Sequence, residues 1–417
     1  MINILDKTQC CGCEACVQVC PRHCILFEED EYGFCYPHTN METCINCGLC
    51  EKSCPVINTG TEVFPMRKVA SKNRNEEQRI KSSSGGVFIL LAESVIRRGG
   101  IVFGAAFDSE WSVRHLSADT IEGVMPFLGS KYVQSKIGDS YKVTKIHLDN
   151  GREVLFSGTS CQIAGLKHYL TKDYNNLLTI EVMCHGVPSP RVWREYLDNI
   201  QQPKGAVNGG NMVFSSLNEC PSIEAISFRD KKDGWGNYGF VVRYSSDELE
   251  AENNSLLPVK SNVKIVETRE PHNENPYMQA FLSNAILRPI CFSCPFKSGR
   301  SGADISLGDF WTVDQYLPGV NDDKGISLVY LLSEKGVNAY SVLNVADYEL
   351  DKYVEYNTAF TSSTKIKYPI DKFWTHYNKD GLKCMNKVND SLKLSLFKSL
   401  QKSLSIRFKR YINIIKK

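Results

Sequence analysis

The feature that most constrains this chain is a duplication. Cys10, Cys13, Cys16 and Cys20-Pro21 recur as Cys44, Cys47, Cys50 and Cys54-Pro55, each 34 positions further on. Of 17 cysteines, 11 lie between Cys10 and Cys54. Between the copies, ILFEEDEYGFCYPHT alternates apolar and polar residues about Gly33, the pattern of a short hairpin. Residues 1–60 therefore read as a small module, and NTGTEVFP as a linker to a body spanning 61–390. MINILDKTQCCGC lacks the basic and apolar regions of a secretory leader. Thiols this dense in a cytoplasmic chain point to metal or redox work rather than to disulfides.

C-x2-C-x2-C-x3-C-P is the spacing of bacterial-type dicluster ferredoxins. Three thiolates on a tight turn cap three corners of a cube, and the fourth corner lies too far round for the same loop. The distal cysteine of each copy then serves the other cluster. Cys10, Cys13, Cys16 and Cys54 are expected to hold one [4Fe-4S] cluster, and Cys44, Cys47, Cys50 and Cys20 the other. C-x2-C pairs also build zinc ribbons, but eight cysteines in duplicated register, each copy ending Cys-Pro, favour clusters. Cys11, Cys24 and Cys35 fall outside the spacing and are expected as small buried fillers. Cys11 competes with Cys10 as first ligand, and the register of Cys13, Cys16 and Cys20 favours Cys10.

The body reads as an α+β or α/β fold. IVFGAAFD, EVLFSG, LLTIEVMCHG, ADISLGDF and GISLVYLLS are buried-strand candidates, and AISFRDKKDGWGNYGFVVRYSS is strand-rich. Helices are expected from Val87, over VWREYLDNI and over NPYMQAFLSNAIL. Residues 203–222 and 247–275 are polar and read as surface loops or insertions. Cys161, Cys184, Cys291 and Cys294 sit at strand ends or in Gly/Pro turns, and only the last two have ligand spacing. Spacing alone leaves them open between buried structural thiols and a third cubane. Cys220 and Cys384 carry no such signal.

With 49 Lys+Arg against 47 Asp+Glu, the chain gives no support to a nucleic-acid binder. A cubane passes one electron at a time, and a flavin is the usual converter to two-electron chemistry. Ser83, Ser84, Gly85, Gly86 and Val87 of SSSGGV enter a helix whose amide end can cradle the flavin's phosphates, or merely cap itself. GSKYVQS adds Ser130, Lys131 and Tyr132. FRDKKDGWGNY, with Arg229, is either a solvated hairpin or a substrate or cofactor contact. Lys131, His185 and Arg229 are the acid–base candidates. No G-x-G-x-x-G follows a strand, so a Rossmann nicotinamide site is not supported.

Taken in order, the ferredoxin module, SSSGGV, GSKYVQS, FSGTSCQIAGLK, CHGVPSP, LRPICFSCPFK and ADISLGDFW resemble the coenzyme F420 hydrogenase/dehydrogenase beta-subunit family. The likeness is to bacterial members with a fused ferredoxin domain, which often accompany polysaccharide-biosynthesis genes. It covers residues 1 to about 335. The resemblance implies a mixed α/β body that binds FAD and is fed by clusters. It implies a body cluster on Cys161, Cys184, Cys291 and Cys294, and flavin contacts from SSSGGV and GSKYVQS. It also implies ferredoxin or another low-potential donor as partner, and a small-molecule or sugar-type substrate. Relatives commonly read GTPCQ where this chain has Gly158-Thr159-Ser160-Cys161-Gln162. F420 itself is not implied, since the same body serves different acceptors.

From Ser391 to Lys417 the chain carries eight Lys/Arg and no acid, with Leu396, Leu400, Leu404, Phe408 and Ile412 recurring as an apolar stripe. Such a tail lies on the inner face of an anionic membrane, or docks on its own body with a solvated basic face. No segment reaches the ~20 apolar residues of a membrane span. The expected location is cytoplasmic.

Overall fold

The computed structural model describes residues 1–4, 6–201, 222–250 and 259–393. Within the module, β1 (Ile25–Glu29) and β2 (Cys35–Thr39) form the expected antiparallel hairpin, closing at the Glu29–Cys35 pair. Gly33 turns it with φ +84°, and a Cβ there would stand 2.3 Å from the Cβ of Arg191. Only glycine fits both the backbone and the gap. A short helix follows the first cysteines of each copy, Ala15–Val19 and Leu49–Lys52. Each starts after a left-handed residue, Glu14 or Gly48, so the two copies share one backbone device.

The body begins with β3 (Arg67–Asn73), β4 (Ile101–Phe107), β5 (Val113–Ala118), β6 (Val154–Thr159) and β7 (Leu177–Val182). A three-stranded antiparallel sheet follows, from β8 (Ser222–Asp230), β9 (Gly239–Glu250) and β10 (Val259–Pro271). The chain then returns through β11 (Ile305–Asp309), β12 (Ser327–Leu331) and β13 (Val345–Leu350). The main sheet has eight strands in the order β13-β3-β12-β11-β7-β6-β4-β5. Its four central strands, β11, β7, β6 and β4, run parallel, and the flanking pairs are antiparallel.

Both faces of this sheet are covered, which explains why its strands read as unbroken apolar runs. Phe103 and Phe156 face the helices Ser140–Asp149 and Ser160–Leu170 through Tyr141, Ile163 and Leu166. Their neighbours Val102 and Leu155 face the helix Val87–Arg97 through Ile89, Leu91 and Val95. The smaller sheet packs Phe228 and Phe240 against Trp193 and Tyr277 from the helices Pro190–Gln201 and Pro276–Leu282.

Two expectations are corrected here. Residues 247–250 and 259–271 are not loops but the end of β9 and the whole of β10, paired from Val259–Glu250 to Pro271–Gly239. A hairpin arm satisfies its backbone groups within itself, so it needs no apolar run to form. Nor is the FRDKKDGWGNY turn a solvated hairpin: Trp235 is 2% exposed and Arg229 is buried. Residues 203–221 and 251–258, Cys220 among them, lie outside the described residues, as does the tail beyond Lys393. Among the described residues no helix is long and apolar enough to cross a membrane.

Candidate functional site

In open sheets of this kind, ligands gather beyond the carboxyl ends of the parallel strands. Here β6 delivers Cys161 two residues after its end, and β7 delivers Cys184 and His185. The turn Pro289–Ser293 carries Cys291, with Cys294 directly after it. All four thiols line one cavity, which encloses about 450 Å³ of space, part of it open to solvent. A proline at position 160 would have suited the first turn of the helix Ser160–Leu170. Ser160 serves instead because the Gln162 side chain accepts from the Thr159 backbone N–H at 2.9 Å and holds the turn.

A second cavity lies in the module, lined by Cys44, Cys47, Cys50 and, from the first copy, Cys20. Cys24 joins this lining, its sulfur 3.3 Å from that of Cys20. The remaining set is packed between the two cavities. Cys16 is buried, and the thiols facing it are Cys10, Cys54 and Cys50. Among the described residues no three His, Cys, Asp or Glu side chains gather as the ligands of a single ion do. A cubane asks for something different, because each thiolate meets its own iron at a separate corner. Burial, then mutual repulsion, raises the Cys16, Cys54 and Cys291 thiols, and lifts Cys184 to about 12. Iron bound there would reverse that preference, since a ligating thiol is deprotonated by the metal charge.

Cys11 joins module to body. It is 5% exposed, lies beside the Cys13 and Cys161 thiols, and lines the body cavity. The helix Ser160–Leu170 accepts the module at Gly165, where a Cβ would stand 2.9 Å from the Cβ of Cys13. Glu14 fastens the same loop, accepting from the Ile137 and Gly138 amides at 2.9 and 3.0 Å. Tyr32 stacks on Trp374 at 4.6 Å, and Ser189 Oγ donates to the Tyr32 carbonyl.

Two cations flank the C-x2-C turn. Arg288 is 0% exposed, and Lys297 donates to the Cys184 carbonyl at 2.8 Å. Glu181 is buried at the end of β7, where burial raises its carboxyl against a 2.6 Å hydrogen bond from Ser301. Arg288, Lys297 and Glu181 escaped the sequence reading, which weighed Cys11 only as a filler or as a rival of Cys10. The Arg and Lys were discernible as the charges enclosing the turn in LRPICFSCPFK, whereas Glu181 sits in an apolar strand with nothing to mark it.

The proposed flavin motifs converge on the same sheet edge, though not all their residues are free. Ser130 Oγ donates to Ser83 Oγ at 2.9 Å, joining the two loops. Ser84 and Gly85 are engaged with β12, through the Ile326 carbonyl and Ser327 Oγ. A Cβ on Gly85 would come within 2.2 Å of the Ser71 carbonyl oxygen, so this glycine is there for packing. Gly86, at φ +81°, starts the helix Val87–Arg97 without a side-chain cap, and Val87 is buried in the core. Lys131 donates to the Pro126 and Leu128 carbonyls, and burial pushes its ammonium down to about 7.

Tyr132 stacks on Phe281 at 4.4 Å, and Phe281 meets His185 edge-on at 5.5 Å. That short aromatic run joins the flavin loops to the cysteine cavity. His185 also bonds Asn284 Oδ1 at 2.6 Å, and burial lowers its pKa. Arg229 is paired with Asp309 and lies 4.8 Å from the ring centres of both Tyr238 and Trp311. Burial lowers its pKa, and the Asp309 carboxylate more than restores it, so this guanidinium is a fixed charge rather than a proton source.

Residues 9–58 match the 4Fe-4S dicluster domain, and residues 151–355 match the C terminus of the coenzyme F420 hydrogenase/dehydrogenase beta subunit. The chain thus joins a dicluster ferredoxin module to a region that matches the coenzyme F420 hydrogenase/dehydrogenase beta-subunit family. The chain is 32% identical over 78 residues to an uncharacterized ferredoxin of Methanocaldococcus jannaschii, covering 19% of this chain and 94% of that protein. It is 33% identical over 57 residues to the ketoisovalerate oxidoreductase subunit VorC of Methanothermobacter marburgensis, covering 13% of this chain and 72% of that one. A chain of the F420-reducing [NiFe] hydrogenase complex from Methanosarcina barkeri aligns with TM-score 0.39 and 17% identity, over 67% of this chain and 79% of that one. With these two regions, the chain is an iron–sulfur electron-transfer protein related to the F420 hydrogenase beta subunit.

Proposed function

We propose that the chain is a flavin-dependent iron–sulfur oxidoreductase, carrying electrons between a low-potential donor such as ferredoxin and a small organic or sugar-type substrate. The observation that carries this reading is a continuous line of thiols. It runs from exposed Cys47, through Cys50, Cys54, Cys16 and Cys10, to Cys11 against Cys161, and ends at Cys184 beside His185. The clusters supply one-electron transfer along this line, and bound FAD supplies the exchange with two-electron chemistry.

Each group of residues has its part. Cys20, Cys44, Cys47 and Cys50 hold the entry cluster, and exposed Met41, Ile45 and Leu49 around it offer a donor an apolar landing. Cys10, Cys13, Cys16 and Cys54 hold the next cluster, and Cys161, Cys184, Cys291 and Cys294 the body cluster. The Ser83 and Ser130 hydroxyls, with the uncapped amide end of the helix Val87–Arg97, are the groups suited to flavin phosphates. A role in polysaccharide synthesis, with the basic tail resting on the membrane, belongs to the same reading.

Anaerobic purification followed by iron, sulfide and flavin analysis tests it. About twelve irons per chain with one flavin are expected for three cubanes. About eight irons would leave the body thiols as structure, and a colourless protein would end the proposal. A second reading, an electron-transfer subunit with no substrate of its own, is favoured by how firmly Arg229 and Lys131 are tied down. Turnover of an artificial acceptor by the isolated chain would count against that alternative.

A further inference from the structure

Arg288 presents a problem that the fold alone does not solve. Its side chain is 0% exposed, yet among the described residues no carboxylate pairs with it. The ionisable groups facing it are thiols and a phenol, among them Cys10, Cys11, Cys35, Cys161, Cys291 and Tyr36. A buried guanidinium without a counter-charge is costly, because its lost hydration is not repaid. Every arm of this one is nevertheless placed with care. Nε donates to the Cys10 carbonyl at 2.8 Å, Nη1 to Gln134 Oε1 at 3.0 Å, and Nη2 to the Cys35 carbonyl at 2.9 Å. Nη2 also reaches the Cys10 sulfur at 3.6 Å. The plane rests on Tyr36, 4.3 Å from the ring centre, and the same residue lines the body cavity.

We infer that Arg288 is the shared counter-charge of two iron–sulfur clusters, one on Cys10 and one in the body cavity, and that it raises the reduction potential of both. The argument rests on the cluster assignments above. A thiolate-bound cubane is a net anion, and each added electron deepens that charge. A fixed cation between two such sites stabilises both reduced forms, and a hydrogen bond to a ligating sulfur acts in the same direction. The entry cluster is different, since Arg288 is absent from its lining. The effect should therefore fall on two clusters and spare the third. Gly12 makes the placement possible, because a Cβ at its φ of +70° would lie 2.8 Å from Arg288 Nη1.

The test is a redox titration followed by low-temperature electron paramagnetic resonance on the full chain, reconstituted anaerobically. Signals are assigned with Cys47→Ser and Cys161→Ser chains. In Arg288→Gln, the two inner clusters should titrate at more negative potential while the entry cluster stays in place. Arg288→Lys keeps the charge and should shift them less. Unchanged potentials in Arg288→Gln, or an equal shift of all clusters, would overturn the inference. Iron near eight per chain in the unaltered protein would instead refute the body-cluster reading, leaving Arg288 to be judged on the Cys10 cluster alone. Should Arg288→Gln hold no iron, the unaltered protein decides. An exchangeable proton coupled to a reduced inner cluster, lost in Arg288→Lys, supports the contact, and no such proton refutes it.

Discussion

At the scale of single residues, the same chemical group is put to opposite uses according to its surroundings. Cys161 has thiol neighbours on every side of its cavity, whereas Cys384 is a buried filler among aromatic side chains. Replacing Cys161 with Ser should lower iron from about twelve to about eight per chain, with both ferredoxin clusters retained. Iron analysis beside the unaltered chain checks this. His115 offers a measurement that needs no metal. Its ring bonds Ser135 Oγ at 2.7 Å and the Ser157 carbonyl at 3.0 Å, and burial lowers its pKa to about 4. The folded state thus holds the imidazole neutral where the unfolded chain, near 6.5, binds a proton. The stabilisation is complete above pH 6.5 and is lost as pH falls toward 4, by about 3 kcal/mol at most. In His115→Gln, denaturant midpoints should vary less steeply with pH over that window than in the unaltered chain.

At the scale of elements, the helix Ser160–Leu170 does two jobs. Its first turn presents Cys161 to the cavity, and one turn later Gly165 receives the Cys13 loop. A methyl group there would meet Tyr141 Oη at 2.8 Å and the Cys13 sulfur at 3.1 Å, so something must move. Gly165→Ala should lower stability by about 1–3 kcal/mol through overpacking, despite alanine's better helix propensity. Thermal melting is the check, and an unchanged Tm would mean that the module does not bear on this helix. The hairpin β1–β2 works from the other side, its Tyr32 and Gly33 lying against Trp374 and Arg191. Module and body are therefore joined at two places, around the cysteines and around the turn.

Across the whole molecule, the proposed function gives the order of the sites a direction. Cys47 is exposed, whereas the cysteines of the inner set and the body cavity are buried or half-buried. On the proposed reading, a protein donor meets the Cys44–Cys50 end first. Cys47→Ser should slow reduction of the inner clusters by reduced ferredoxin at least tenfold, while dithionite, a small reductant, still reduces them. Stopped-flow absorbance with the two reductants separates these outcomes, and equal rates with ferredoxin would remove the entry role.

The duplicated Cys-Pro motif determined the module by itself, because cluster ligation depends on short spacings that a sequence states outright. Strands such as β6 and β12 were legible for a similar reason: a sheet covered on both faces demands unbroken apolar runs. The arm of β9 and β10 was not, since paired backbones tolerate polar sequence. What only the tertiary structure decided is who meets whom across long separations. It brought Cys161 and Cys184 from neighbouring strand ends to Cys291 and Cys294, set Cys11 among them, and buried Arg288 between two thiol sets. Such pairings depend on strand order and on how a module seats against a helix. No local pattern encodes either one, because both are settled by which apolar surfaces can be buried together.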